Sequence, residues 1–322
     1  MHSKIIFPLF LLMFFNSFNA GAFWLFSGES KKKYKIAIKE IKTDYEKSDC
    51  TQVIKKVNTF LESKPPSSFK EEAYLYIGSC YERRNEIDRA LDIYGLAHTL
   101  YPKNKFFREA LANIYLGAGF FEKSLFLFKE LIENKNASYK AYAGLAKSYA
   151  SLGFYKKAKK NYSYALNMNE YKDLNLIKEY SRALIRIRKY EEVLSIFNNT
   201  AHDFKRDTEI YLILARVWMH KGEYTRSLNY IKEAQKLSPA RRDLALYTVF
   251  LNIMTGSYDK ALSGINHLTE KNNEDALAFL AKAIVKLKTG NKKESYEILS
   301  GISKDKDSFV SQIAIKMQKE GH

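Results

Sequence analysis

Cys50 and Cys80 are the only cysteines in this chain of 322 residues. Two thiols in an exported protein can oxidise to a disulfide; two thiols in any protein can also serve as small buried packing residues. Both readings stay open at this point. The six histidines are His2, His98, His202, His220, His267 and His322, and none is paired at helical spacing. The chain has no HExxH, CxxC or GxSxG motif and no glycine loop that would cradle a phosphate. Acid pairs such as Glu71–Glu72 and Glu191–Glu192 are adjacent. On a helix, neighbouring side chains diverge, so these pairs suit a solvated face better than acid–base work. The sequence therefore points to no catalytic residue, no metal ligand set and no cofactor, and an enzyme with an unrecognised site is kept only as an alternative.

The elements that carry these residues read as helices. Only 5 Pro and 14 Gly leave little turn material for a β-rich fold, while 23 Tyr and 21 Phe supply large groups to bury. The net charge of +17 raises the question of an anionic partner. Lysine is also a good helix former at exposed positions, and here it is scattered among acids, as in KKKYK, KKAKKNY and NKKES. No nucleic-acid partner is expected.

The first 22 residues read as a signal peptide. Lys4 precedes an apolar core from Ile5 to Phe15, too short to span a bilayer, and Ala20-Gly21-Ala22 has the small-x-small pattern of a cleavage site. Cleavage after Ala22 would start the mature chain at Phe23, with residues 23–33 as a linker. The absence of a cysteine after the core speaks against a lipid-modified terminus. An uncleaved anchor over residues 5–26 is the alternative: Phe23 to Phe26 prolong the apolar run, and Lys31, Lys32 and Lys33 sit on the side to be exported, against the usual charge bias. Either way the expected location is the bacterial periplasm or cell envelope, with membrane contact only through this segment if it is retained.

The strongest signal is a repeat. Small residues recur at Ala90, Ser124, Ala158, Val193, Ser227, Ala261 and Ser295, at intervals of 34 or 35. Five residues before five of them stands a glycine: Gly119, Gly153, Gly222, Gly256, Gly290. Four residues after each stands a large apolar group: Tyr94, Phe128, Tyr162, Phe197, Ile231, Ile265, Leu299. The physical sense is a helical hairpin. Glycine ends the first helix at low cost in positive φ. The small residue lets two backbones approach, and the large group one turn later fills the space between neighbouring hairpins.

These residues resemble the tetratricopeptide repeat (TPR) family. Tyr74, Ile77, Gly78, Tyr81, Ala90, Tyr94, Ala97 and Pro102 stand at the signature positions of one repeat. Tyr142, Leu145, Ala146, Tyr149, Ala158, Tyr162 and Ala165 follow in another, and Tyr211, Leu214, Ala215, Trp218, Ser227, Ile231, Ala234 and Pro239 in a third. The resemblance implies an all-α fold, a right-handed superhelical solenoid of about eight helix-turn-helix units. Their expected spans are 34–67, 71–104, 105–138, 139–172, 174–206, 208–241, 242–275 and 276–303. A capping helix in 304–322 would carry Phe309, Ile313 and Met317 on one face. In that arrangement Cys50 opens the second helix of the first unit and Cys80 lies near the end of the next first helix, a geometry that would permit a bridge.

In this family ligands are held on the first helix of each hairpin. Projected here, those positions give a basic ladder of Asn113, Lys140, Lys147, Lys178, Arg182, Arg186 and Arg216, with Glu109 opposing it. Such a wall would favour a carboxylate-rich or phosphate-bearing ligand. Further along, Leu246, Phe250, Leu280, Ile284 and Leu287, together with Ile253 and Met254, would form an apolar wall suited to an amphipathic helix. The implied function is an exported, non-catalytic scaffold that binds a protein or an acidic peptide. A cell-envelope assembly factor for outer-membrane, pilus or cell-wall machinery is the alternative.

Overall fold

In a computed structural model of the chain, the described residues are 31–133, 137–199, 207–271, 275–303 and 308–320. The leader, the anchor alternative and most of the linker fall in residues 1–30 and lie outside them. The chain divides into two compact units, Met1–Gly153 and Phe154–His322. The first holds α1 (31–46), α2 (Cys50–Glu62), α3 (Ser67–Arg83), α4 (Ile87–Leu100), α5 (Lys105–Gly117), α6 (Phe121–Glu133) and α7 (Tyr139–Ser151). The second holds α8 (Tyr155–Met168), α9 (Leu174–Arg186), α10 (Tyr190–Asn199), α11 (Thr208–His220), α12 (Tyr224–Leu237), α13 (Arg242–Met254), α14 (Tyr258–Lys271), α15 (Ala276–Lys288), α16 (Lys292–Ile302) and α17 (Phe309–Glu320). Among the described residues no strand occurs, and no helix is long and apolar enough to cross a membrane.

Local chemistry sets the turns. Gly119, Gly153, Gly222, Gly256 and Gly290 all have φ between 70° and 86°. That region costs an L side chain about 1 kcal/mol or more, and glycine almost nothing. In the hairpins that lack the glycine, Ser48, Asn85 and Arg188 take the same left-handed conformation, at φ 61°, 58° and 57°. Helix starts are capped by short polar side chains. Asn104, Ser138, Asp173, Asp207 and Asp275 each accept a backbone N–H in the first turn of α5, α7, α9, α11 and α15.

Packing follows the repeat. All seven small residues and all seven large ones are buried. At two of the serines the hydroxyl is satisfied inside the hairpin: Ser227 Oγ donates to the Ala215 carbonyl and Ser295 Oγ to the Ala283 carbonyl, both at 2.8 Å. Ser124 and Ser148 share a hydrogen bond of 2.9 Å, and Ser148 Oγ also donates to the Gly144 carbonyl. Rings lie directly on helix backbone at two places. Tyr94 covers Gly78 and Phe128 covers Gly144, each leaving no room for a Cβ. The Tyr94 hydroxyl donates to Glu82 at 2.6 Å, so its burial is not a loss of hydrogen bonding.

At the start of the array Cys50 and Cys80 form a disulfide, their Cα atoms 5.1 Å apart. It ties α2 to α3 within a core that also contains Val53, Val57, Ile77, Tyr94 and Phe107. At the other end α17 closes the stack. Ala314 is buried with Leu280, Ala283 and Leu299, and Ile313 and Met317 pack on them. Phe309, expected on the same face, is instead 74% exposed. It is the first residue of the helix, ahead of the turns that pack.

Candidate functional site

The expected basic ladder falls in both compact units, and each part is described by itself. In the first unit α5 and α7 lie side by side. Asn113 on α5 and Lys140 on α7 are exposed, while Lys147 and the opposing Glu109 are half-buried.

In the second unit α9 packs beside α11, and the ladder there is not a row of open cations. Lys178 Nζ lies 3.0 Å from Asp207, and its side chain is only 14% exposed. Arg182 donates to Glu209 Oε2 at 3.0 Å, and Arg241 donates to the other oxygen, Oε1, at 2.6 Å. Arg241 is in turn gripped by Asp243 through two hydrogen bonds. Burial pushes the Glu209 carboxyl upward, but the Arg241 and Arg182 guanidiniums outweigh it and hold the group below its usual range. Asp243 is lowered as well, chiefly by the Arg241 hydrogen bond. The patch is therefore a chain of alternating charge, Arg182–Glu209–Arg241–Asp243, with Arg186 exposed one turn along α9.

Arg216 is a different case. It is half-buried, and its Nε is shielded from solvent with no hydrogen-bond acceptor. It belongs to the packing of α11 more than to an accessible face. The acids that intercept Lys178 and Arg182 are absent from the sequence-based ladder, yet one signal was present. Glu209 stands at the start of α11, one of the helices on which the resemblance projected ligand contacts. Asp207 was not readable that way, because it precedes the helix and reaches back from its cap.

The apolar wall needs correction. Leu280 is 7% exposed and sits in the core with Ala283, Leu299 and Ala314. Leu246 and Ile253 pack on the cluster around Val249 and Ile265, and Ile284 on the cluster around Leu280. Leu287 is half-buried. Only Phe250 and Met254, one turn apart on α13, stand out at 43% each, and Leu277 on α15 joins them as an exposed residue at 41%. The late repeats are apolar around more of their circumference, so a fixed register assigned core residues to the wall.

A groove of about 440 Å³ opens between α1 and α2. Tyr34, Ala37, Ile41 and Phe60 line it, with Lys33 and Lys55 at its rim. Among the described residues, no group of three His, Cys, Asp or Glu side chains is placed to hold a metal ion.

No family model matches the chain. It is similar to the TPR repeat-containing protein MJ1428 of Methanocaldococcus jannaschii, 24% identical over 163 residues, 50% of this chain and 28% of that protein. It is also similar to the BBSome complex member BBS4 of Bos taurus, 22% identical over 209 residues, 64% of this chain and 38% of that protein. The matches thus span well under half of each relative. Among solved structures, Pseudomonas aeruginosa PilF superposes with a TM-score of 0.53 at 17% identity, covering 67% of this chain and 97% of PilF. A chain of the APC/C hetero-tetramer Cut9–Hcn1 superposes with a TM-score of 0.50 at 14% identity, covering 87% and 62%. These likenesses concern the fold.

Proposed function

From a chain that is an array of tetratricopeptide repeats, we propose an exported, non-catalytic scaffold that captures a protein or peptide on the first helices of its hairpins. The observation that carries this reading is the exposed α9 face at Arg182 and Arg186, where Arg182 is positioned by an acid, Glu209, that does not need to remain bound to it. Glu209 is shared by two arginines. A ligand carboxylate can take the Arg182 guanidinium while Glu209 keeps Arg241 at 2.6 Å, so exchange leaves no charge unpaired. A stack of hairpins then turns several such modest contacts into one specific surface. In the first unit, Asn113 on α5 and Lys140 on α7 are exposed polar groups.

The test is differential capture. Arg182→Glu with Arg186→Glu should lower recovery of the native partner at least ten-fold, whereas Phe250→Ala should leave it unchanged. Arg216 is not a suitable target, because reversing a half-buried arginine perturbs the helix itself. Equal recovery by the double variant and the parent refutes this face as the binding site.

A narrower reading, a cell-envelope assembly factor, is supported by the disulfide together with the leader-like start. Disulfides persist in oxidising compartments and are rare in the cytosol. The mass of the mature protein checks it: a chain beginning at Phe23 and recovered from the envelope fraction supports export, and an intact cytosolic chain with free thiols overturns it.

A further inference from the structure

The outer face of α8 combines two properties, positive charge and exposed apolar groups. The helix contains four lysines and no acid. Three of them, Lys156, Lys157 and Lys160, are exposed, and the fourth, Lys159, pairs with Glu192 at 2.7 Å. Flanking the exposed lysines on either side along the helix stand large apolar groups in contact with water: Phe154 at 52%, Tyr164 at 49% and Met168 at 53%. At 3.6 residues per turn, Phe154, Lys157, Lys160, Tyr164 and Met168 fall within a sector of about 120°. The opposite side, with Ala158, Tyr162, Ala165 and Leu166, is buried.

We propose that this face docks on an anionic phospholipid surface. The face is the ridge of one helix, and it brings its side chains outward. A bilayer interface accepts such a ridge directly. Aromatic and Met side chains enter the headgroup level while lysine stems lie along them and place their ammonium groups at the phosphates. The lysines are already arranged this way, with Lys157 Nζ 5.4 Å from the centre of the Phe154 ring and Lys160 Nζ 5.9 Å from that of Tyr164. The nearby acids do not cancel the field. Glu192 is held by Lys159, Glu191 by Lys221 and Glu170 by Lys172. This surface lies on a different helix from the Arg182 patch, so it can hold the scaffold at a membrane while that patch stays open.

Vesicle co-sedimentation tests it with the chain beginning at Phe23, which lacks the apolar leader, on phosphatidylcholine vesicles with and without phosphatidylglycerol. Binding is expected only when phosphatidylglycerol is present, and it should weaken with added salt. The triple variant Lys156→Glu, Lys157→Glu, Lys160→Glu should weaken binding at least roughly 100-fold, since each basic residue near such a surface contributes about five-fold. Phe154→Ala with Tyr164→Ala and Met168→Ala should weaken it while leaving the salt dependence unchanged. Circular dichroism confirms that each variant is folded; Phe154, Tyr164 and Met168 are about half exposed, so their truncation removes little of the core. The proposal is overturned by equal binding to pure phosphatidylcholine, by no binding to either vesicle, by variants that bind like the parent, or by tight binding of polyglutamate with no vesicle binding, which would assign the face to an acidic protein.

Discussion

Gly144→Ala separates two effects that are usually confounded. Glycine inside a helix costs about 1 kcal/mol relative to alanine, so an unobstructed replacement stabilises by that amount. At Gly144, in the middle of α7, a Cβ would collide with the Phe128 ring from α6, reaching Cζ, Cε1 and Cε2, the last at 2.5 Å. Ordinary carbon contacts lie near 3.5–4 Å. Phe128 is completely buried, so the ring has no rotamer into which it can withdraw without moving α6. Overpacking of this kind costs about 1–3 kcal/mol, and a collision with a whole ring belongs at the upper end. The net expectation is a destabilisation of about 2 kcal/mol. Gly95, within α4, has nothing within 4 Å of a new Cβ, and Gly95→Ala should stabilise by about 0.5–1 kcal/mol. Urea denaturation followed by circular dichroism, with the disulfide intact, measures both. Adding Phe128→Leu to Gly144→Ala should recover part of the loss, giving a coupling of at least about 1 kcal/mol in the double-mutant cycle. If both glycine variants stabilise equally, the ring does not lie on the α7 backbone and the packing of these hairpins is misread.

Three other outcomes follow from particular contacts. Replacing Cys50 and Cys80 by serine, which opens a loop closed over a separation of 30 residues, should cost about 3–4 kcal/mol, read as faster hydrogen exchange in α2 and α3. Unchanged exchange would mean that the bridge does not constrain this end. Asp275 is buried, accepts the Ala278 N–H and two hydrogen bonds from Arg242; burial pushes its carboxyl upward, but Arg242 and the cap outweigh that and leave it below the usual value. Its contribution is therefore fully present above the ordinary value of about 3.9 and lost as pH falls through the lower folded value. Asp275→Ala should cost about 2 kcal/mol at neutral pH and flatten the acid limb of the stability profile; an unaltered profile counts against this pairing. Arg188, at φ 57° where other hairpins have glycine, should gain about 1 kcal/mol on Arg188→Gly, measured by thermal unfolding; a loss would show that its side chain contributes more than its backbone costs.

The sequence by itself determined the fold class. A 34-residue register of glycine, small residue and large apolar residue is a statement about backbone φ and helix contact, both of which act within one or two turns. Hence Gly119, Ala158 and Tyr162 were readable one position at a time. What only the tertiary structure decided is which charges are open and which apolar residues are core. Arg182 and Glu209 are 27 residues apart, and Lys178 and Asp207 are 29 apart, so each pair meets only after two hairpins have stacked. Leu280 and Phe250 are both large apolar residues at projected ligand positions. One is buried by α16 and α17 and the other faces water, and that difference is set by the neighbours packed on each, to which composition and spacing are blind. Electrostatic and hydrophobic surfaces are sums over neighbours in space, whereas the repeat is a pattern along the chain.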